Sequence, residues 1–161
     1  MNITLTRKEF RRLVELVYMG ENVVLEAGDN AGAGGGRYGE LVQKIYKLAA
    51  QKGACPNYVE ADEEVEDFYH PSMDLEADSP AATTLEQYEN AIFWDELISR
   101  LAERDAEREQ LRNPSLVPEN PDEALERQLT REGQLEKRYR AEFVKNDLGN
   151  LFVMFGSDRL S

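Results

Sequence analysis

Cys55 and His70 are the only cysteine and the only histidine of the chain, and both stand in one strongly acidic stretch. A thiolate and an imidazole within reach of each other would make a nucleophile and its base. The surrounding carboxylates raise the thiol pKa and disfavour the thiolate, and neither residue sits in a nucleophile motif. Cys55 therefore reads as a small buried thiol and His70 as a surface imidazole. Asp67 and His70 have the i, i+3 spacing of half a carboxylate-bridged metal pair, which needs such a motif on each of two helices. One histidine cannot complete the pair, so a single divalent-cation site at Asp67 and His70 is what remains of the metal alternative.

Asp74, Glu76 and Asp78 open like a calcium loop, with oxygen ligands at alternate positions. Ser79 stands where that loop needs its glycine and Leu85 where it needs its final acid, so the motif fails. Gly34, Gly36 and Gly39 have G-x-G-x-x-G spacing ahead of a helix. A dinucleotide fingerprint also requires a buried strand within a βαβ unit, and only the short Val23 to Leu25 run precedes a loose loop, so these glycines read as a linker.

Arg100, Arg104, Arg108 and Arg112 recur every four residues along one helix, a stripe able to touch phosphates or an acidic partner. Glu96, Glu103 and Glu107 interleave at pairing distance, so a salt-bridged solvent face is expected. Arg7, Lys8, Arg11 and Arg12 form a second basic cluster, placed to dock the protein's own acidic segment.

That acidic segment dominates the charge. Between Gly53 and Ser99 there is no Lys or Arg, whereas thirteen acids account for the whole net charge of −13. Six of them, Glu60, Asp62, Glu63, Glu64, Glu66 and Asp67, are grouped closely enough to form a protein-binding surface. Such a region repels a phosphate backbone, so direct nucleic-acid binding by it is not expected; basic proteins or divalent cations are attracted.

The elements that must carry these groups are mainly helical. Thr6 and Glu9 have capping-box spacing, and Phe10, Leu13, Val14, Val17 and Tyr18 follow at helical period, with Gly20 placed to end the first helix. A glycine-rich loop at 28–36 leads to a second helix over about Arg37 to Lys52, apolar through Tyr38, Leu41, Val42, Ile45, Tyr46 and Ala49. The segment 54–82, broken by Pro56, Pro71 and Pro80, is expected to be only partly ordered, with at most a short helix near Glu60 to Tyr69. Thr84 and Gln87 predict the start of a third helix that runs to Arg112. Asn120, Pro121 and Glu123 supply the N-cap, first-turn proline and acid of a fourth, ending near Gly149. Ile3 to Leu5 and Leu151 to Phe155 suit a minimal two-stranded pairing of the two terminal segments. The predicted fold is thus mainly α, one domain over 1–161 with four principal helices in a bundle-like arrangement.

At this length about 70% of the unfolded chain's surface can be buried, enough for a core without staples. The longest wholly apolar run, Leu151 to Phe155, is far short of the ~20 residues that span a membrane. The start has no apolar secretory region and a lone cysteine forms no internal disulfide, so the expected location is the cytoplasm, with no membrane contact. The third helix, with Ile92, Phe93, Trp94, Leu97 and Ile98, is apolar over more than one stripe. One side would then serve a core and the other a contact between two copies.

The opening from Ile3 through Arg7, Lys8, Glu9 and Phe10 to Gly20 resembles the start of small uncharacterised bacterial proteins that place a glycine after an apolar helix. The resemblance covers about twenty residues; it implies a bacterial source and no particular activity. No catalytic constellation and no cofactor motif emerges, and the expected role is a protein-binding or accessory module acting through its acidic segment or its helix faces. One form of that role is mimicry of nucleic acid toward a basic protein. The alternative is a small metal-assisted enzyme or divalent-cation binder using the carboxylates around His70.

Overall fold

The computed structural model describes residues 2–26, 37–51, 55, 57–114 and 118–152. It is mainly helical, with one minimal antiparallel sheet. The chain divides into two compact parts, Met1–Asn90 and Ala91–Ser161. Among the described residues no helix is long and apolar enough to cross a membrane.

The first part begins with helix α1, Arg7–Glu26. Its start is the expected capping box: the Thr6 N–H donates to the Glu9 carboxylate at 2.8 Å and the Glu9 N–H to the Thr6 hydroxyl at 3.3 Å. Gly20 does not end it. A glycine inside a helix costs only about 1 kcal/mol, and the turn beyond it is held by tertiary contact, with Tyr46 donating to Glu21 at 2.6 Å. Val23 to Leu25 is consequently the last turn of α1.

Helix α2, Gly39–Gln51, buries Val42, Tyr46 and Ala49 against Val14 and Tyr18 of α1. Tyr38 and Leu41, expected on the same face, are exposed. The proposed helix-ending Gly53 and the loop 28–36 lie outside the described residues.

The sheet stands in the acidic segment and not between the terminal segments. Strand β1, Val59–Ala61, pairs antiparallel with β2, Tyr69–Pro71, in the register Val59↔Pro71, Glu60↔His70 and Ala61↔Tyr69. Where a short helix was expected near Glu60 to Tyr69, the chain forms a hairpin instead. Ile3 and Leu5 are exposed and belong to no strand; Leu151 and Phe152 belong to none either, and 153–155 lie outside the described residues. Closing a short local loop loses less chain entropy than joining segments at opposite ends of the sequence. Val59 and Tyr69 also enter the α1/α2 core, which the exposed Ile3 does not.

A four-residue helix α3, Met73–Glu76, is capped by Ser72 and seats Leu75 fully in the same core. Helix α4, Pro80–Arg112, follows and contributes Ala81 and Leu85 there. It starts four residues before the predicted Thr84. Ser79 is buried; its hydroxyl donates to the Leu75 carbonyl at 2.6 Å and accepts from the Ala82 N–H at 3.0 Å. Pro80 beside it has its φ already set for a first helical turn. Thr84 is interior, and its hydroxyl donates to the Pro80 carbonyl at 2.8 Å.

In the second part, α4 from Ala91 onward packs against helix α5, Pro121–Asn146. Asn120 caps α5 as predicted, accepting from the Asp122 N–H at 3.0 Å. The helix stops at Asn146 and not at Gly149: Asp147 takes a φ of 51°, and a 3-10 turn covers Asp147–Asn150. Ile98, Leu101 and Phe143 form one buried cluster and Ala102, Ala106 and Leu135 another, with Trp94 against Phe143 at 5.3 Å between ring centroids. Tyr88, Ile92 and Phe93 of α4, and Leu125 and Leu129 of α5, remain exposed.

Candidate functional site

The hairpin carries the candidate acidic surface, and its backbone is held at every corner. The Asp62 N–H donates to the Phe68 carbonyl at 2.9 Å, closing the loop between the strands. One oxygen of the Asp62 side chain accepts from the Glu64 and Val65 N–H groups at 2.9 and 2.8 Å, a side-chain turn typical of aspartate. These bonds, the one to Glu64 first, hold its carboxyl below the usual value. At the base, the Ser72 hydroxyl donates to the Asn57 carbonyl and the Ser72 N–H to the Tyr58 carbonyl.

Two side chains of α2 fasten the hairpin from outside. Gln43 is bonded to both backbone groups of Tyr69. Lys47 makes an ion pair of 2.7 Å with Asp67, and that carboxylate raises the lysine's pKa. Asp67 has a φ of 61°, a left-handed turn that aspartate tolerates better than most residues.

A second anchor lies where α1 meets the start of the segment. The guanidinium of Arg11 stands 4.3 Å from the Tyr58 ring centroid and donates to the Tyr58 hydroxyl, which in turn donates to Glu15 at 3.2 Å. The predicted docking of the N-terminal basic cluster onto the acidic segment therefore runs, for Arg11, through a phenol and not a carboxylate. Cys55 is buried beside this group; burial pushes its thiol pKa up, and the charges that act on it are Arg11 and Glu15.

The six predicted surface acids thus divide by use. Asp62 serves its own loop and Asp67 serves Lys47. Glu60, Glu63, Glu64 and Glu66 are exposed and, among the described residues, have no ion-pair partner. His70 is half-buried in β2 across from Glu60, with Nδ1 3.1 Å from the Pro71 carbonyl oxygen. Asp67 and His70 lie in a turn and a strand, so their spacing does not place them on a helix face. Among the described residues no group of three or more His, Cys, Asp or Glu is gathered to hold a metal ion.

Gln43, Lys47 and Tyr58 were not singled out by the sequence. Gln43 and Lys47 lie at i, i+4 on α2 ahead of the apolar Ala49 and Ala50, a spacing that shows a shared face but not what the face meets. No protein-family profile matches the chain, and neither a curated protein nor a solved structure matches it.

Proposed function

We propose that the protein is a binding module whose 58–72 hairpin presents carboxylates to a basic surface of a protein partner. The observation that carries this reading is the division of labour among the acids. Four glutamates project from a hairpin braced by Gln43, Lys47 and Asp62, while the acids that do structural work there are different residues. A pre-ordered charged surface loses less entropy on binding than a free acidic tail. The excess of negative charge also speeds encounter with a basic partner and makes it sensitive to salt.

The test compares wild type with the combined Glu60→Gln, Glu63→Gln, Glu64→Gln and Glu66→Gln variant. Proteins captured from source lysate by wild type alone are purified and titrated by calorimetry against both forms at two salt concentrations. The expected result is a Kd weakened roughly tenfold or more and a flatter salt dependence in the variant. A partner that binds both forms with equal affinity would remove the hairpin as its docking surface.

A further inference from the structure

The second part of the chain carries more acids than bases, like the protein as a whole, but brings four arginines to one place. Arg104, Arg108 and Arg112 of α4 and Arg138 of α5 line one open groove of about 510 Å³. Successive members of the α4 series are ~6 Å apart along the helix axis. Asp105, Glu109 and Glu142 also line the groove.

Both oxygens of Asp105 are in use. One accepts from Arg104 Nε at 2.8 Å and lies 3.7 Å from Arg108 Nη1; the other accepts from the Tyr139 hydroxyl. Both oxygens of Glu109 are held by Arg131, at 2.6 and 2.7 Å. Glu142 accepts from the amides of Asn146 and Asn150 through one oxygen, each at 2.7 Å. The arginines are less fully committed. Arg104 meets Asp105 through Nε and also interacts with the Tyr139 hydroxyl. Arg112 and Arg138 make no direct ion pair among the described residues, although Arg138, after Arg131, helps hold the Glu109 carboxyl below its usual pKa. The predicted pairing of the stripe holds for Arg100 with Glu96, whereas Arg104 pairs with Asp105, shared with Arg108, and not with Glu107.

All four groove cations are arginines, whose planar forks match phosphate oxygens two at a time. The groove's volume is that of a small-ligand site, and a net charge of −13 disfavours a long polyanion more than a short one. We propose that this groove binds a short chain of phosphoryl groups, free or carried by a nucleoside, with Arg112 and Arg138 as its principal contacts and Asp105 positioning Arg104 and Arg108.

The test titrates inorganic triphosphate and, separately, ATP into the full chain by calorimetry at low salt without divalent cation. Arg112→Gln with Arg138→Gln forms the groove variant, and Arg100→Gln, outside the groove, the control. Saturable binding is expected, weakened roughly tenfold or more in the groove variant and unchanged in the control. Equal affinities for the two probes mean that the phosphoryl chain alone is read, and tighter ATP binding means that the nucleoside adds contacts; either supports the site. No binding at millimolar probe, or equal binding by wild type and groove variant with both shown folded by circular dichroism, overturns it. So does single-stranded RNA that binds more tightly than triphosphate and is lost in the same variant, since the groove would then serve a nucleic acid.

Discussion

The side-chain amide of Gln43 is bonded to both backbone groups of Tyr69: Nε2 donates to the carbonyl at 2.9 Å and Oε1 accepts from the N–H at 2.9 Å. It does for β2 what a neighbouring strand would do, and so ties the hairpin's backbone to α2. A two-stranded hairpin is at best marginal by itself, and this brace, with Lys47 and the buried Val59 and Tyr69, gives it a support.

Gln43→Ala should leave both Tyr69 groups without their partner and destabilise the protein by roughly 1–3 kcal/mol. Urea unfolding measures the loss, and hydrogen exchange locates it, with the Tyr69 amide expected to exchange much faster. An unchanged Tyr69 exchange rate would show that water or another group serves equally well. Gln43→Glu supplies an acceptor for the N–H but no donor for the carbonyl, so it should rescue little.

The Asp62 carboxyl is held below its usual pKa by the Glu64 and Val65 N–H groups. A depressed folded value means that its contribution to stability is complete above the ordinary carboxyl pKa of about 3.9 and is lost as pH falls through the folded value. A carboxyl-detected NMR titration should find Asp62 with a midpoint under that of a free aspartate, and the Glu64 and Val65 amides should move with it. A midpoint at the ordinary value would contradict the turn.

Tyr46 has no exposed surface and donates to Glu21 at 2.6 Å. Burial first, then that hydrogen bond, raises its phenol pKa. Here the sign is opposite: the contribution is complete below the ordinary tyrosine value of about 10 and declines as pH rises above it. Ultraviolet titration should show one tyrosine ionising only as the chain unfolds in base, and that step should vanish in Tyr46→Phe. The phenylalanine variant should lose about 1 kcal/mol, since the half-buried Glu21 can regain water, whereas Tyr46→Ala should lose ~3–5 kcal/mol through the cavity.

Ala102 and Ala106 of α4 are buried beside Leu135 of α5. Their small size lets the two helices approach there, so Ala106→Leu should overfill the contact and cost roughly 1–3 kcal/mol. Thermal unfolding should show a Tm lower by several degrees. If the variant melts like wild type, the two helices have room to separate without loss.

The features legible in the sequence are those whose physics is complete within a few residues. Thr6 with Glu9, and Asn120 with Pro121, satisfy orphan backbone groups one turn away, and both helix starts stand where those residues place them. The end of the first helix was not legible at Gly20, because a small local penalty is outweighed by contacts made with α2. The same competition displaced the third helix start from Thr84 to Pro80, where Ser79 is buried and bonded in both directions. The sheet was misplaced because short apolar runs state only a capacity to pair, and burial of Val59 and Tyr69 against α2 decided which runs did so. For the candidate surface, composition alone located the acids, since net charge needs no geometry. Only the tertiary structure decided which of them have partners within the fold. Asp62 and Asp67 are withdrawn by a backbone turn and by Lys47, and Arg104 and Arg108 meet at Asp105, because the fold determines which charges come within a few ångströms of one another.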